Sequence, residues 1–197
     1  MKIIGIDLAG SEKRNTGICI LDENLNAKSF ILKKDKEILD LVKREKPDLI
    51  AIDAPLTLPR GRKSIKKKSN IHFRNCDKEL FKLGIKFFPI TLGPMRMLTE
   101  RGIKIRKILE KKYKVIEVYP GATQDILKIP RKQKGLRKLL NGLKKLGIKI
   151  ERKKLNGDEL DAITAAYTGY LFLKGKAIEI GNKKEGTIII PKIDLKV

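Results

Sequence analysis

Five acids stand where acids are costly. Asp7 closes an apolar run (Ile3, Ile4, Ile6) inside Gly-Ile-Asp-Leu-Ala-Gly, and Asp53 closes a second, Leu-Ile-Ala-Ile-Asp-Ala-Pro. Glu117 sits inside a third, Lys-Val-Ile-Glu-Val-Tyr-Pro-Gly, while Asp158 and Asp161 open an Ala-rich helix, Gly-Asp-Glu-Leu-Asp-Ala-Ile-Thr-Ala-Ala-Tyr. Acids are poor strand formers and expensive to bury unpaired. Three strands delivering one each, and a helix delivering two, predict a site that converges carboxylates and therefore needs a cation. Two Mg²⁺ or Mn²⁺ ions roughly 3.5–4 Å apart activate water and shield a phosphate, the two requirements of phosphodiester hydrolysis. The pattern therefore predicts a metal-dependent nuclease, with Asp7, Asp53, Asp158 and Asp161 as ligands.

Each acid also has a structural reading. Asp7 and Asp53 could cap the turns that follow their strands, although Pro55 forces the chain after Asp53 away from helix and leaves its carboxylate at a strand tip. Asn156 and Glu159 have capping-box spacing, which makes Glu159 structural and leaves Asp158 in a first turn favoured by the helix dipole. Asp161 lies beyond that turn, on the side kept small by Ala162, Ala165 and Gly169, and shares a face with Asp158. Glu117 alternates with Val115 and Tyr119 on a strand buried on both sides, either as a ligand or behind one.

Two basic segments supply a substrate surface. Arg60, Arg62, Lys63, Lys66, Lys67, Lys68 and Arg74 follow the Asp53 strand with no acid among them. Lys128–Lys154 holds twelve basic residues, Arg131, Lys132, Lys134, Arg137 and Lys138 included, against Glu151 alone, and leads into the Asp158 helix. Such runs are often solvated faces. Two of them joined to acid-bearing elements fit phosphate-backbone clamps better. Aromatics make up only 5% of the chain, which argues against a stacking platform for single strands and for structured or duplex nucleic acid.

Among 197 residues, 46 are basic and 23 acidic, a net charge of +23. A Lys-rich thermophile would raise Glu as well. Here Lys rises alone, so a polyanion partner is the better explanation. Cys19 and Cys76 are too few for a disulfide framework, with Cys19 in a core strand and Cys76 in a polar stretch. His72, the only histidine, stands alone in a basic loop, which argues against Ser-His-Asp or Cys-His catalysis and against zinc ligation by His and Cys. No run approaches the roughly 18 apolar residues of a membrane span, and the chain opens on a strand; a cytoplasmic protein is expected.

The elements that must position the acids are readable from periodicity. Lys2–Leu8, Asn15–Leu21 and Ala27–Lys33 predict an antiparallel meander, Asp35–Lys46 a helix ended before Pro47, and Asp48–Asp53 a fourth strand. Helices near Asp77–Leu83 and Met95–Lys112, a fifth strand at Val115–Val118, one or two helices within 121–155 and a long one at Asp158–Leu173 follow. Lys176–Ile180 and Thr187–Ile190 are further strand-like runs. The whole reads as one α/β domain over 1–197, with a basic loop and helix insertion at 55–92 and a basic helical segment at 121–155.

That order resembles the RNase H-like fold: a mixed five-stranded sheet, three antiparallel strands then two parallel, flanked by helices. The resemblance implies that strands one and four end side by side, with the last helix laying its acids over them; Asp7, Asp53 and Asp161 match these stations. The Asp158 and Asp161 pair is similar to the closing motif of Holliday-junction resolvases. Gly-Ile-Asp-Leu-Ala-Gly-Ser, Ile-Asp-Ala-Pro-Leu, Arg74-Asn-Cys-Asp77, Phe88-Pro89, Gly93-Pro-Met95, Glu117-Val-Tyr-Pro120, Asp158-Glu-Leu-Asp-Ala162 and Glu185-Gly-Thr-Ile-Ile-Ile-Pro191 occur in order. Together they resemble the domain of unknown function 429 family, described as predicted nucleases of RNase H fold. The resemblance implies a Mg²⁺ or Mn²⁺ nuclease and, from resolvase-like relatives, a homodimer. Two other readings stay open: a nucleic-acid-binding module that no longer catalyses, and a phosphotransferase of actin-like fold with a phosphate hairpin at 10–17, although such enzymes usually need two copies of the fold.

Overall fold

A computed structural model describes residues 1–193; Asp194 to Val197 lie outside the described residues. Strands β1 (Lys2–Asp7), β2 (Thr16–Asp22) and β3 (Ala27–Leu32) form the expected meander. Helix α1 (Asp35–Glu45) then crosses to β4 (Leu49–Asp53), which pairs parallel to β1. Helices α2 (Asn75–Lys82) and α3 (Gly93–Leu109) lead to β5 (Val115–Val118), parallel to β4. Next come α4 (Pro120–Ile126), a single 3₁₀ turn (Lys132–Lys134), α5 (Leu136–Lys145) and α6 (Gly157–Leu173).

The sheet has seven strands, not the five expected. The tail runs form a hairpin, β6 (Ala177–Asn182) and β7 (Gly186–Pro191), and β7 joins β5 in parallel to give the order β3-β2-β1-β4-β5-β7-β6. In β7 the consecutive residues Ile188, Ile189 and Ile190 are all buried, as in a strand covered on both faces. Such a run has no alternation to mark its place in a sheet. Cys76, expected in a polar stretch, is buried at the start of α2, where Leu80, Ile180 and Ile188 join it in a core of their own.

Side chains alternate across a strand, so each strand divides between two cores. Ile4, Ile6, Ile18, Ile50 and Ile52 pack against Ile38 and Val42 of α1 and Ile105 of α3. Ile3, Cys19, Leu49 and Ala51 pack on the other face against Ala162, Ala165 and Ala166 of α6. Asp7 and Asp53 share the parity of Ile3 and Ala51, and so belong to the α6 face. Two glycines let α6 lie close. A Cβ on Gly5 would stand 2.2 Å from the Ala162 carbonyl oxygen, and one on Gly17 2.0 Å from that of Asp158. No helix among the described residues is long and apolar enough to cross a membrane.

Candidate active site

Asp7 and Asp53 are direct register partners at the carboxyl ends of the adjacent parallel strands β1 and β4. Such strand ends open into the crevice where ligands bind in α/β sheets. Helix α6 starts over them, capped as expected: Asn156 Oδ1 accepts from the Glu159 N–H at 2.8 Å, and Glu159 reaches back to the Asn156 N–H. Glu159 is buried and also ion-paired with Arg152, a structural role. The first turns of α6 carry Asp158 and Asp161 toward the strand ends. Asp158 is half-buried and lines a cavity of about 520 Å³ with Asp7, Lys13 and Arg14.

Lys132, expected on the substrate surface, reaches into this group of acids. Its Nζ lies 2.6 Å from Asp161 Oδ2 and 3.9 Å from Asp7 Oδ2, and its stem passes over Gly157, where a Cβ would stand 3.1 Å from Cδ. Gln124 Nε2 donates to Asp161 Oδ1 at 2.8 Å and fixes the other side of that carboxylate. Burial, then the negative Asp161, push the Asp7 carboxyl up to about 8, with Lys132 partly opposing them. Burial, then Asp7 and Asp161, raise Asp53 well above the ordinary carboxylate range. Burial works against the Lys132 ammonium, but Asp161 and Asp7 more than offset it and push its pKa up to about 12.

Asp161 is buried and held by Lys132 and Gln124, whereas Asp7 and Asp53 are half-buried and Asp7 meets only Lys132, at 3.9 Å. Their donor chemistry, oxygen only and unsaturated with hydrogen bonds, suits a hard divalent cation. Among the described residues, however, no three His, Cys, Asp or Glu side chains are already gathered closely enough to hold a metal ion. Lys132 supplies positive charge between Asp7 and Asp161 in this arrangement.

Glu117 takes a different position. It is the register partner of Ile52, one step before Asp53, and has the parity of the opposite face. Both of its oxygens are engaged: Arg74 donates to Oε1 at 2.7 Å and to Oε2 at 2.8 Å, and the Leu56 N–H donates to Oε2 at 2.7 Å. Arg74 is 2% exposed and also pairs with Asp77 at 2.8 Å. Its guanidinium is spent inside the protein, contrary to the phosphate contact expected of it. Burial raises the Glu117 carboxyl, against the lowering influence of Arg74. Arg62 also departs from expectation: it is buried and donates to the carbonyls of Ser64, Ile65, Lys67 and Ile71, organising its own loop. Arg131 is half-buried and pairs with Asp125. Arg60, Lys63, Lys66, Lys67, Lys68, Lys134, Arg137 and Lys138 are exposed.

Other residues around the site were given no role by the sequence. Gln124 is one amide on a short helix, and only the fold brings it to Asp161. Glu185, in the β6–β7 turn, accepts from the Arg60 N–H at 2.7 Å and the Asn75 N–H at 2.6 Å, tying the basic loop to α2. On the other side, Arg101 of α3 donates to the Ala9 carbonyl at 2.7 Å and pairs with Asp35, while the Ala9 N–H donates to Thr16. The loop after Asp7 is thereby fixed.

The seven-stranded mixed sheet flanked by helices is an α/β architecture that resembles the RNase H-like fold. The fold is similar to that of T. thermophilus RuvC in complex with a Holliday junction substrate, with a TM-score of 0.50 and 12% sequence identity over 89% of this chain and 96% of that one. A second structure, Thermus thermophilus RuvC, aligns at 12% identity and a TM-score of 0.49, covering 89% and 97%. The chain belongs to the family described as Protein of unknown function (DUF429), which matches residues 5–186. No curated protein matches the sequence.

Proposed function

We propose that this protein is a divalent-metal-dependent nuclease that hydrolyses phosphodiester bonds of structured or duplex nucleic acid. The observation that carries the reading is the register pairing of Asp7 with Asp53, with Asp161 over them and burial raising the strand acids. Half-buried, desolvated acids at strand ends are a cost that folding alone gives no reason to bear, and perturbed groups cluster at functional sites. Asp7, Asp53, Asp158 and Asp161 are the residues that would hold Mg²⁺ or Mn²⁺. A bound ion there supplies a deprotonated water and neutralises phosphate charge.

The chain's own residues prepare that chemistry. Gln124 holds Asp161 in one orientation, and Lys132 offsets part of the negative charge of the acid group until substrate arrives. A phosphate entering the site offers the Lys132 ammonium a second anionic partner, so that it can leave Asp161 and contact the substrate. Glu117, locked by Arg74, is a positioning residue that supports the paired ends of β4 and β5 beside Asp53. The exposed cations at 60–68 and 134–138 would take backbone phosphates on either side. Because the structurally similar RuvC holds a Holliday junction, branched duplex is the first substrate to test.

The test is cleavage of a labelled panel of duplex, single-stranded, branched and RNA–DNA hybrid substrates with Mg²⁺, Mn²⁺ or EDTA. Wild type and Asp7→Asn are purified in parallel. Metal-dependent cutting lost in Asp7→Asn is the expected result. Tight binding by both proteins with no cutting by either would leave a nucleic-acid-binding module instead.

A further inference from the structure

The carboxylates open on a second cavity, of about 460 Å³, that the proposed hydrolysis does not by itself require. Its lining includes Asp53 and Asp161, and also Phe87, Phe88 and Ile90. Phenylalanine is scarce in the chain, yet four of the six lie between positions 73 and 88. Phe73, Phe81 and Phe87 form one cluster, with Phe81 and Phe87 centroids 4.6 Å apart and Phe73 edge-on to both. Phe88 stacks on no other ring among the described residues and is 67% exposed at the cavity.

Phe88 is nevertheless held in place. Ile85 and Ile90 on either side of it are buried. The carbonyl of Lys86 accepts from Tyr119 Oη at 2.6 Å and from both terminal nitrogens of Arg131 at 3.3 and 3.4 Å. An exposed aromatic ring on an anchored connector is a prepared surface. Arg14 and Gln133 line the same cavity and are exposed, with no side-chain hydrogen bond or ion pair among the described residues.

We infer that this cavity takes one nucleobase extruded from the substrate, stacked against Phe88 with its polar edge toward Arg14 and Gln133. The inference rests on the nuclease reading above and names its substrate: nucleic acid with an unpaired nucleotide beside the scissile phosphate. The volume lies within the range of small-ligand sites. A phosphate at the acids and its own base in the adjoining cavity are one covalent span, which favours a nucleobase over a protein side chain as occupant. Apolar walls match the base faces, free cationic and amide groups match its edge, and both are features of sites that read bases out of the stack. A paired base must first be unpaired and unstacked, so an already unpaired nucleotide binds at least cost.

Binding in EDTA tests this without cutting. Two duplexes of the same sequence carry 2-aminopurine either paired or as a single-nucleotide bulge, and are titrated with the full chain. Wild type should bind the bulged duplex roughly tenfold tighter, with a change in 2-aminopurine emission, the scale of one base–aromatic stack. Phe88→Ala should bring the preference within about twofold, whereas Phe81→Ala, an exposed ring outside the cavity, should keep it. Equal binding of the two duplexes by wild type, or a preference untouched by Phe88→Ala, overturns the inference. A preference without metal-dependent cutting upholds the base site and sinks the nuclease reading. Cutting without a preference does the reverse.

Discussion

Asp7 illustrates how a single carboxylate can tax the fold that displays it. Its pKa, about 8 in the folded protein because of burial and then Asp161, lies far above the ordinary value of 3.8. A raised acid contributes stability below pH 4 that is lost as pH climbs through 8, because the folded state there holds a proton the unfolded chain has released. Asp7→Asn should therefore stabilise the metal-free protein at pH 8 by about 2 kcal/mol, roughly 4–8 °C in Tm, and make no difference near pH 3.5. Thermal melts of both proteins at the two pH values check this. Arg74 is the opposite case. Arg74→Met strands the buried Glu117 and Asp77 charges and should cost about 3–5 kcal/mol, seen as a Tm lower by roughly 6–20 °C. A surface phosphate contact would show no such loss.

At the scale of elements, the site depends on how closely α6 can approach β1 and β2. Gly5→Ala would drive a Cβ into the Ala162 carbonyl and the Ala166 amide, 2.2 and 2.5 Å away. It should destabilise by about 2–3 kcal/mol, as overpacking does, and shift Asp161 with the helix. Gly93→Ala, at the first residue of α3 and before Pro94, meets nothing within 4 Å beyond its chain neighbours and should change stability by less than about 1 kcal/mol. Chemical denaturation separates the two. The strands and α6 were legible as near-continuous apolar runs that an acid interrupts; Asp7 and Asp53 end adjacent strands with Asp161 near them, but no three acids are gathered as a metal site among the described residues. The hairpin β6–β7 was legible as strands but not as part of the sheet, since an isoleucine run buried on both faces does not state its neighbour. Arg62 and Arg74 were misread for a related reason. A basic residue in a basic loop looks solvated until the fold brings the loop carbonyls, or Asp77 and Glu117, around it. Likewise, nothing local to Lys132 marks it as the lysine that enters the acid site.

Over the whole molecule, a net charge of +23 sits around an acidic centre, and the exposed cations are its long-range feature. Duplex affinity should fall steeply with salt, and Lys67→Gln or Lys138→Gln should each reduce the slope of log K against log salt by about one. Fluorescence anisotropy over a salt series measures it. The centre itself is tested without any substrate. Mn²⁺ is titrated calorimetrically into wild type, Asp53→Asn and Lys132→Ala at low ionic strength. The account predicts saturable binding to wild type, binding roughly tenfold or more weaker in Asp53→Asn, and tighter binding in Lys132→Ala, where no ammonium competes for Asp161. Binding to wild type that Asp53→Asn leaves intact, or no binding by any of the three, would contradict it.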